Sequence, residues 1–208
     1  MKYGPFILFL LAISTALNGQ YSETFNVANK GILEPPCSTN DPTSCTTIDF
    51  DGVNWTIGGN LSGLDNDQAP PNEGVQTSGG VFTTLAGDID EEICWISPEL
   101  DISNAGNDVD FNVDITYSGF DDSDYMDVEY SIDGGPFIVT QPNLVGTGGH
   151  TINGTSGSGG ISGSENDVGI TGGLSGSTLQ IRVCADFNSA SENFSLDNVS
   201  KKNSLRRN

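Results

Sequence analysis

The chain has 208 residues, of which 28 are acidic and seven are basic, so its formal net charge is −21 at pH 7. All of the acidic residues lie between Glu23 and Asp197, a stretch in which only Lys30 and Arg182 are basic. Such a charge argues against nucleic acid and anionic membranes as partners, because both would repel it. Ion pairs cannot balance these carboxylates, so most of them must be solvated and the others need metal ions.

The N-terminus has the layout of a secretory signal peptide. Lys2 follows the initiator Met, an apolar run extends from Phe6 to Ile13, and small and polar residues follow through Gly19. The apolar run is too short for a transmembrane helix, which needs about 20 apolar residues. We therefore predict a signal peptide over residues 1–19 and an exported chain without a transmembrane segment. A buried N-terminal strand or helix is the alternative interpretation.

The rest of the chain has a suitable size for one domain, because all-β sandwiches of about 190 residues commonly form a single core. We place this β-sandwich domain at residues 20–200. Residues 201–208 turn basic, and we expect a disordered tail there.

Alternation of apolar and polar residues predicts the central strands. Apolar residues occupy every odd position from Val109 to Tyr117, which indicates a strand with one buried and one wet face. The same pattern recurs from Met126 to Ile132 and is followed by a tight Asp-Gly-Gly turn and a short apolar segment, which predicts a β-hairpin. Further strands are expected at 21–27, 53–57, 81–85, 93–97, 179–185 and 194–199.

No stretch of the chain shows helical periodicity. Many short strands joined by Gly, Asp and Asn turns indicate an all-β fold, an antiparallel β-sandwich of the jelly-roll type. Residues 146–176 contain twelve glycines. We expect long, mobile loops there, since the regular nonapeptide of a calcium-binding glycine repeat is absent.

Four cysteines in an exported chain favour two disulfides over free thiols. Of the three connectivities, we prefer Cys37 with Cys45, which closes a short loop, and Cys94 with Cys184, which joins two distant strands. Cys94 and Cys184 fall opposite the apolar residues of their strands, so an outer-face disulfide suits both. A zinc site is the alternative, but the spacing lacks the paired cysteines of zinc modules.

A structural Ca²⁺ ion is the cofactor that the acidic residues suggest. Glu23 shares strand parity with two aromatic residues, and an inward-facing, unpaired carboxylate is costly. Carboxylates from separate strands are ligands that Ca²⁺ accepts. Asp197 is a candidate partner if the first and last strands meet, and Asp49 and Asp51 offer two more carboxylates beside a tight turn. The alternative is that these acids are ordinary turn residues.

Aromatic residues could form a platform for sugar rings. Trp55, Phe120 and Tyr125 are the candidates, although core packing is the more conservative interpretation of Trp55. Catalysis has weak support, because His150 is the one histidine of the chain and lies in a glycine-rich segment without a nucleophile motif. An acidic pair for glycoside hydrolysis would occur by chance among so many carboxylates.

Five segments of the chain form a recognisable set of motifs, at residues 91–103, 124–135, 179–183, 188–192 and 194–199. Together they resemble secreted jelly-roll modules of Bacteroidetes, which are similar to cleaved-adhesin and MAM-type domains. The resemblance implies a β-sandwich, often with bound Ca²⁺, a role in adhesion or glycan binding, and a Gram-negative secretome or outer cell surface. Carried over by position, Glu23, Glu92 and Asp197 match acidic positions of the pattern.

The leading hypothesis is therefore a non-catalytic, exported binding or adhesion module with disulfides and Ca²⁺, whose partner is a glycan or a surface protein. A secreted hydrolase that uses an acidic pair, or an accessory fragment of one, is the alternative from another class. A purely structural building block is the third hypothesis.

Overall fold

A computed structural model describes residues 20–31, 49–59, 75–84, 89–105, 108–157, 159–189 and 191–203. The predicted signal peptide, Cys37 and Cys45 lie outside these residues. The described residues form thirteen β-strands: β1 (Tyr21–Glu23), β2 (Thr56–Gly59), β3 (Val75–Ser78), β4 (Val81–Thr84), β5 (Ile89–Ile96), β6 (Leu100–Asp101), β7 (Val109–Phe120), β8 (Tyr125–Ile132), β9 (Ile138–Val139), β10 (Ile152–Asn153), β11 (Ile161–Leu174), β12 (Thr178–Phe187) and β13 (Asn193–Asn203). Within this part of the chain, no helix could cross a bilayer.

The strands form two sheets. The first sheet has the order β11-β7-β13-β4-β3, with β1 added on β13. The second has the order β10-β8-β12-β5-β2, with β6 added on β12 and β9 on β8. All of these strand pairs are antiparallel. The prediction of an all-β antiparallel sandwich is confirmed.

The core lies between the sheets and follows the predicted alternation. From Val109 to Tyr117 the odd residues of β7 are buried and the even ones are half-buried or exposed. In the hairpin after β8, Asp133 and Gly134 have positive φ angles, as the tight turn requires. Aromatic rings fill one end of the core, where Trp55 packs edge-on against Phe82 with ring centres 5.4 Å apart.

The glycine-rich segment contains a long strand, so the prediction of mobile loops over residues 146–176 is wrong for β11. This strand is the edge of the first sheet and pairs with β7 along most of its length, with three register shifts. A Cβ on Gly169 would lie 2.0 Å from the Phe111 carbonyl oxygen, so the missing side chain is what lets the two backbones approach. Alternation of apolar residues could not reveal this strand, because only four of its fourteen residues are apolar and four others are glycines.

The first and last described strands meet in the first sheet. β1 pairs with β13, with Glu23 directly opposite Val199. β1 is shorter than the strand predicted there, since Phe25 has a φ of 49° and turns into the core, where it is 2% exposed. β13 continues through Asn203, so the strand includes the first residues of the predicted tail. Lys201 is buried in it and donates to the Asp101 carbonyl oxygen at 3.1 Å.

Candidate functional site

The predicted disulfide between Cys94 and Cys184 is present and links β5 to β12. The two residues are direct cross-strand partners. Cys184 lies between Val183 and Ala185, which face the core, so the disulfide is on the outward side of the second sheet, as expected from strand parity. Both cysteines are fully buried by the side chains around them. The disulfide therefore fixes the middle of this outer surface.

Beside the disulfide, two rings stack on the same outward surface. The rings of Tyr125 and His150 are 3.9 Å apart between centres, with an interplanar angle of 19°. His150 Nδ1 lies 2.7 Å from Asp127 Oδ2, while Asp127 Oδ1 accepts a hydrogen bond from the Thr151 amide at 2.9 Å. The segment before β10 is thereby held against β8, and the His150 side chain remains 39% exposed.

The Tyr125 hydroxyl is fixed by a hydrogen bond. It donates to Glu92 Oε2 at 2.8 Å, across β12 from β8 to β5. Burial, and then this hydrogen bond to Glu92, raise the pKa of Tyr125 well above its ordinary value. Tyr125 thus remains a neutral hydrogen-bonding group at any physiological pH.

A basic side chain completes this surface. Arg182 on β12 pairs through Nε with Glu129 on β8, its direct cross-strand neighbour. The guanidinium carbon lies 4.1 Å from the centre of the Phe137 ring, which is the geometry of a cation–π contact. We call this outward surface of the second sheet the aromatic face, formed by Glu92, Tyr125, Asp127, Glu129, Phe137, His150, Arg182 and the disulfide.

The first sheet presents a different outer surface. It contains a cleft of about 290 Å³, which we call the polar cleft, lined by Gln20, Ser22, Asn112, Asp114, Asp167, Asn198, Ser200 and Lys202. Both Asp114 carboxylate oxygens accept hydrogen bonds within the cleft, one from the Asp167 amide and one from the Asn198 side chain, each at 2.9 Å. The lining contains no aromatic ring, so it offers no surface on which a sugar ring could stack.

Two of the predicted metal ligands lie on opposite sides of the first sheet. Glu23 is opposite Val199, which faces the core, and its Oε1 accepts from the amides of Thr24 and Phe25. Asp197 pairs with Asp114 on the outward side. The first and last strands meet as the hypothesis required, but the structure does not bring these two side chains together on one face.

Among the described residues, the other predicted ligands do not come together in one site. Asp49 forms an ion pair of 2.7 Å with Lys30, and this contact lowers the pKa of Asp49 below its ordinary value. Asp51 is exposed, and its amide donates to Asp49 Oδ1. Glu92 belongs to the aromatic face. Among the described residues, none of these predicted ligands belongs to a group of three carboxylates that lie close enough together to share one ion.

The structure corrects two of the three aromatic candidates. Trp55 is 1% exposed and Phe120 is fully buried, so both rings belong to the core and neither faces solvent. Each is positioned by packing against other aromatic rings, as Phe120 is against Phe187. Tyr125 is the candidate that lies at the surface.

Sequence analysis missed His150 as a partner of Tyr125, because the two residues come from separate segments and no local pattern connects them. It also missed Asp121, Asp124 and Glu192, whose carboxylates lie together in the structure. A signal for the first two was visible, since acidic residues crowd the turn before β8. Nothing near Glu192 in the sequence indicates which residues it meets.

Among solved structures, the chain is similar to the K1 cleaved adhesin domain of Lys-gingipain from Porphyromonas gingivalis W83, with 17% identity, coverage of 89% of this chain and 99% of that one, and a TM-score of 0.36. The K3 domain of the same protein has 15% identity, coverage of 88% of this chain and 98% of that one, and a TM-score of 0.40. TmCBM61, solved in complex with beta-1,4-galactotriose, has 9% identity, coverage of 72% of this chain and 88% of that one, and a TM-score of 0.33. The two gingipain domains are of the cleaved-adhesin class that the sequence motifs resemble. No protein-family model and no curated protein matches the chain.

Proposed function

We propose that this chain is a non-catalytic, exported binding module that holds a glycan on its aromatic face. The observation that carries the proposal is the stacked pair of Tyr125 and His150, placed at the surface between two carboxylates. Flat rings favour contact with the apolar faces of sugar rings, and neighbouring carboxylates accept hydrogen bonds from sugar hydroxyls.

The rigidity of this face supports binding as its role. The imidazole is fixed by Asp127, the phenol by Glu92, and the guanidinium by Glu129 and Phe137. Side chains that are already held in place lose little conformational entropy when a ligand binds. The polar cleft lacks rings, and this difference favours the aromatic face over it.

A glycan array with the mature domain tests the proposal, followed by titration calorimetry with the best ligand. His150→Ala removes one ring of the stack, and we expect about a tenfold loss of affinity, which corresponds to about 1.4 kcal/mol. Tyr125→Leu should weaken binding more than His150→Ala does, because it removes the other ring of the stack together with its hydroxyl.

Ser164→Ala is the matched control, since this residue is exposed on β11 of the other sheet. It should bind like the unaltered protein, and thermal melting should show that all three variants are folded. Equal losses in the control and the His150 variant would contradict the assignment to the aromatic face. A glycan that is cleaved during the titration would support the hydrolase hypothesis instead.

A further inference from the structure

Three carboxylates from two loops meet at one end of the sandwich. Asp121 and Asp124 lie in the connection between β7 and β8, and Glu192 lies directly before β13. One carboxylate oxygen of each residue is within 4.8 Å of the corresponding oxygens of the other two. We call these three residues the carboxylate cluster.

The cluster is buried, although its members are ionisable. Asp124 is 3% exposed and Glu192 is 4% exposed, while Asp121 is half-buried. Burial raises the pKa of both Asp124 and Glu192, and the charges of neighbouring cluster members raise it further. Holding these groups together in their charged form is therefore unfavourable unless something positive joins them.

One oxygen of the cluster has no protein partner. Asp124 Oδ2 accepts a hydrogen bond from the Asp121 amide at 2.6 Å, whereas Asp124 Oδ1 is buried without any hydrogen bond. A buried, unsatisfied carboxylate oxygen is costly and calls for a ligand. No ion pair within the described residues involves a cluster member, since the described pairs use Asp49, Asp127 and Glu129.

The loops orient the carboxylates in advance. Glu192 Oε2 accepts from the Asn188 amide at 3.1 Å, and the Asn188 side chain donates to Ser123 Oγ at 3.0 Å, which ties one loop to the other. The Gly154 amide donates to the Asp124 carbonyl at 2.8 Å. Both buried carboxylates are thus held in place by hydrogen bonds of the loops, and Asp124 Oδ1 is left for a ligand.

From this geometry we infer that Asp121, Asp124 and Glu192 bind one Ca²⁺ ion. The donors are all carboxylate oxygens, which suit a hard cation and do not suit zinc, a metal that favours nitrogen and sulfur. Ca²⁺ accepts irregular loop geometry and completes its shell with carbonyls and water, whereas Mg²⁺ demands near-ideal octahedral geometry.

The carboxylate cluster lies where the chain crosses from one sheet to the other. β7 and β13 belong to the first sheet, and β8 and β12 to the second, so both loops are crossings between the sheets. An ion held by both loops would clamp the sheets together at this end. Asp124 directly precedes Tyr125, so the clamp would also fix the first residue of β8 on the aromatic face.

The test is calorimetric titration of Ca²⁺ into the chelator-treated mature protein, together with thermal melting. We expect binding of one ion and a rise in Tm that saturates with it. Asp124→Asn and Glu192→Gln keep the side-chain shapes and remove the charges. Together they should lower the affinity at least 100-fold, while the ion-free protein melts no lower than before because a repulsion is gone. Glu23→Gln combined with Asp197→Asn is the matched control and should retain the affinity.

A second measurement does not depend on any variant. In the unaltered protein, Ca²⁺ should shift the amide NMR resonances of Asp121, Asp124, Gly154 and Glu192. Absence of binding at millimolar Ca²⁺, undiminished affinity in the cluster variant, or unshifted resonances at these four amides would each overturn the inference. Equal affinity for Mg²⁺ would overturn the assignment to calcium. None of these outcomes depends on whether the domain binds a glycan.

Discussion

The outer surfaces of the two sheets differ in what holds them together. The aromatic face of the second sheet combines a disulfide, a ring stack and an ion pair that each link separate strands or segments. The first sheet instead depends on close backbone approach at glycines, as at Gly169, and on small polar contacts such as that between Thr116 and Ser164. One surface is covalently fixed and rich in rings, whereas the other is polar and has a glycine-rich edge.

This contrast supports the proposed ligand surface on the second sheet. A ligand surface needs side chains that keep one geometry, and the side chains of the aromatic face are held in this way. β11 covers the side of β7 that would otherwise be a sheet edge, and its residues are mostly polar or glycine. The following predictions test this contrast, beginning with the disulfide and its matched comparison on the first sheet and continuing with two contacts of the first sheet, the stronger before the weaker.

Removal of the disulfide should have the largest effect. Replacing both Cys94 and Cys184 with Ala releases a constraint between residues that are 90 positions apart. We expect the free energy of unfolding to fall by about 2–5 kcal/mol, since the unfolded chain regains loop entropy. Equilibrium denaturation in urea measures this difference.

A matched double substitution on the first sheet sharpens this result. Thr116→Ala with Ser164→Ala removes a hydrogen-bonded pair of exposed side chains between β7 and β11. We expect a loss of about 0.5 kcal/mol or less, because exposed surface contacts contribute little. Similar losses in the two double variants would show that the sheets are held equally.

A methyl group on the edge strand should have an intermediate effect. Gly169→Ala places a Cβ against the Phe111 carbonyl oxygen, so β11 must move away from β7. We expect a cost of about 1–3 kcal/mol, as for other overpacked sites, and faster hydrogen exchange in β11. Thr171→Ala is the control, since this residue is exposed on the same strand. Unaltered stability of the Gly169 variant would mean that the close approach is not needed.

The smallest effect should come from the ion pair of Lys30 and Asp49 beside β3, at the rim of the first sheet. The hydrogen bond from Lys30, followed by that from the Asp51 amide, lowers the pKa of Asp49 in the folded state. Its stabilising contribution is therefore present above the unfolded pKa of about 3.9 and is lost as the pH falls through the folded value. Asp49→Asn should be less stable than the unaltered protein at pH 7, with a difference that closes in acid. Denaturation at several pH values checks this, and a difference that does not change with pH would argue against the ion pair as its cause.

Sequence patterns predicted the fold where the polarity of each side chain matches its burial. In β7 and β8 the alternation of apolar and polar residues matches burial, and strand parity placed the Cys94–Cys184 disulfide on the outward surface. The same reasoning failed for β11, where only four of fourteen residues are apolar and three register shifts interrupt the alternation. It also named Trp55 and Phe120 as candidates for a ligand surface, with core packing as the more conservative interpretation of Trp55, because an aromatic ring near a turn can face either side and only packing decides which.

The candidate sites show the limit of sequence reasoning most clearly. Composition alone led to the expectation that this acidic chain binds cations, and local periodicity predicted the all-β sandwich that the structure shows. Tertiary structure decided which residues meet, because contacts between loops depend on how the strands are ordered and not on distance along the chain. For that reason the acidic turn before β8 finds Glu192, which comes from a distant loop, and Tyr125 finds His150, while Glu23 and Asp197 face opposite sides of the first sheet.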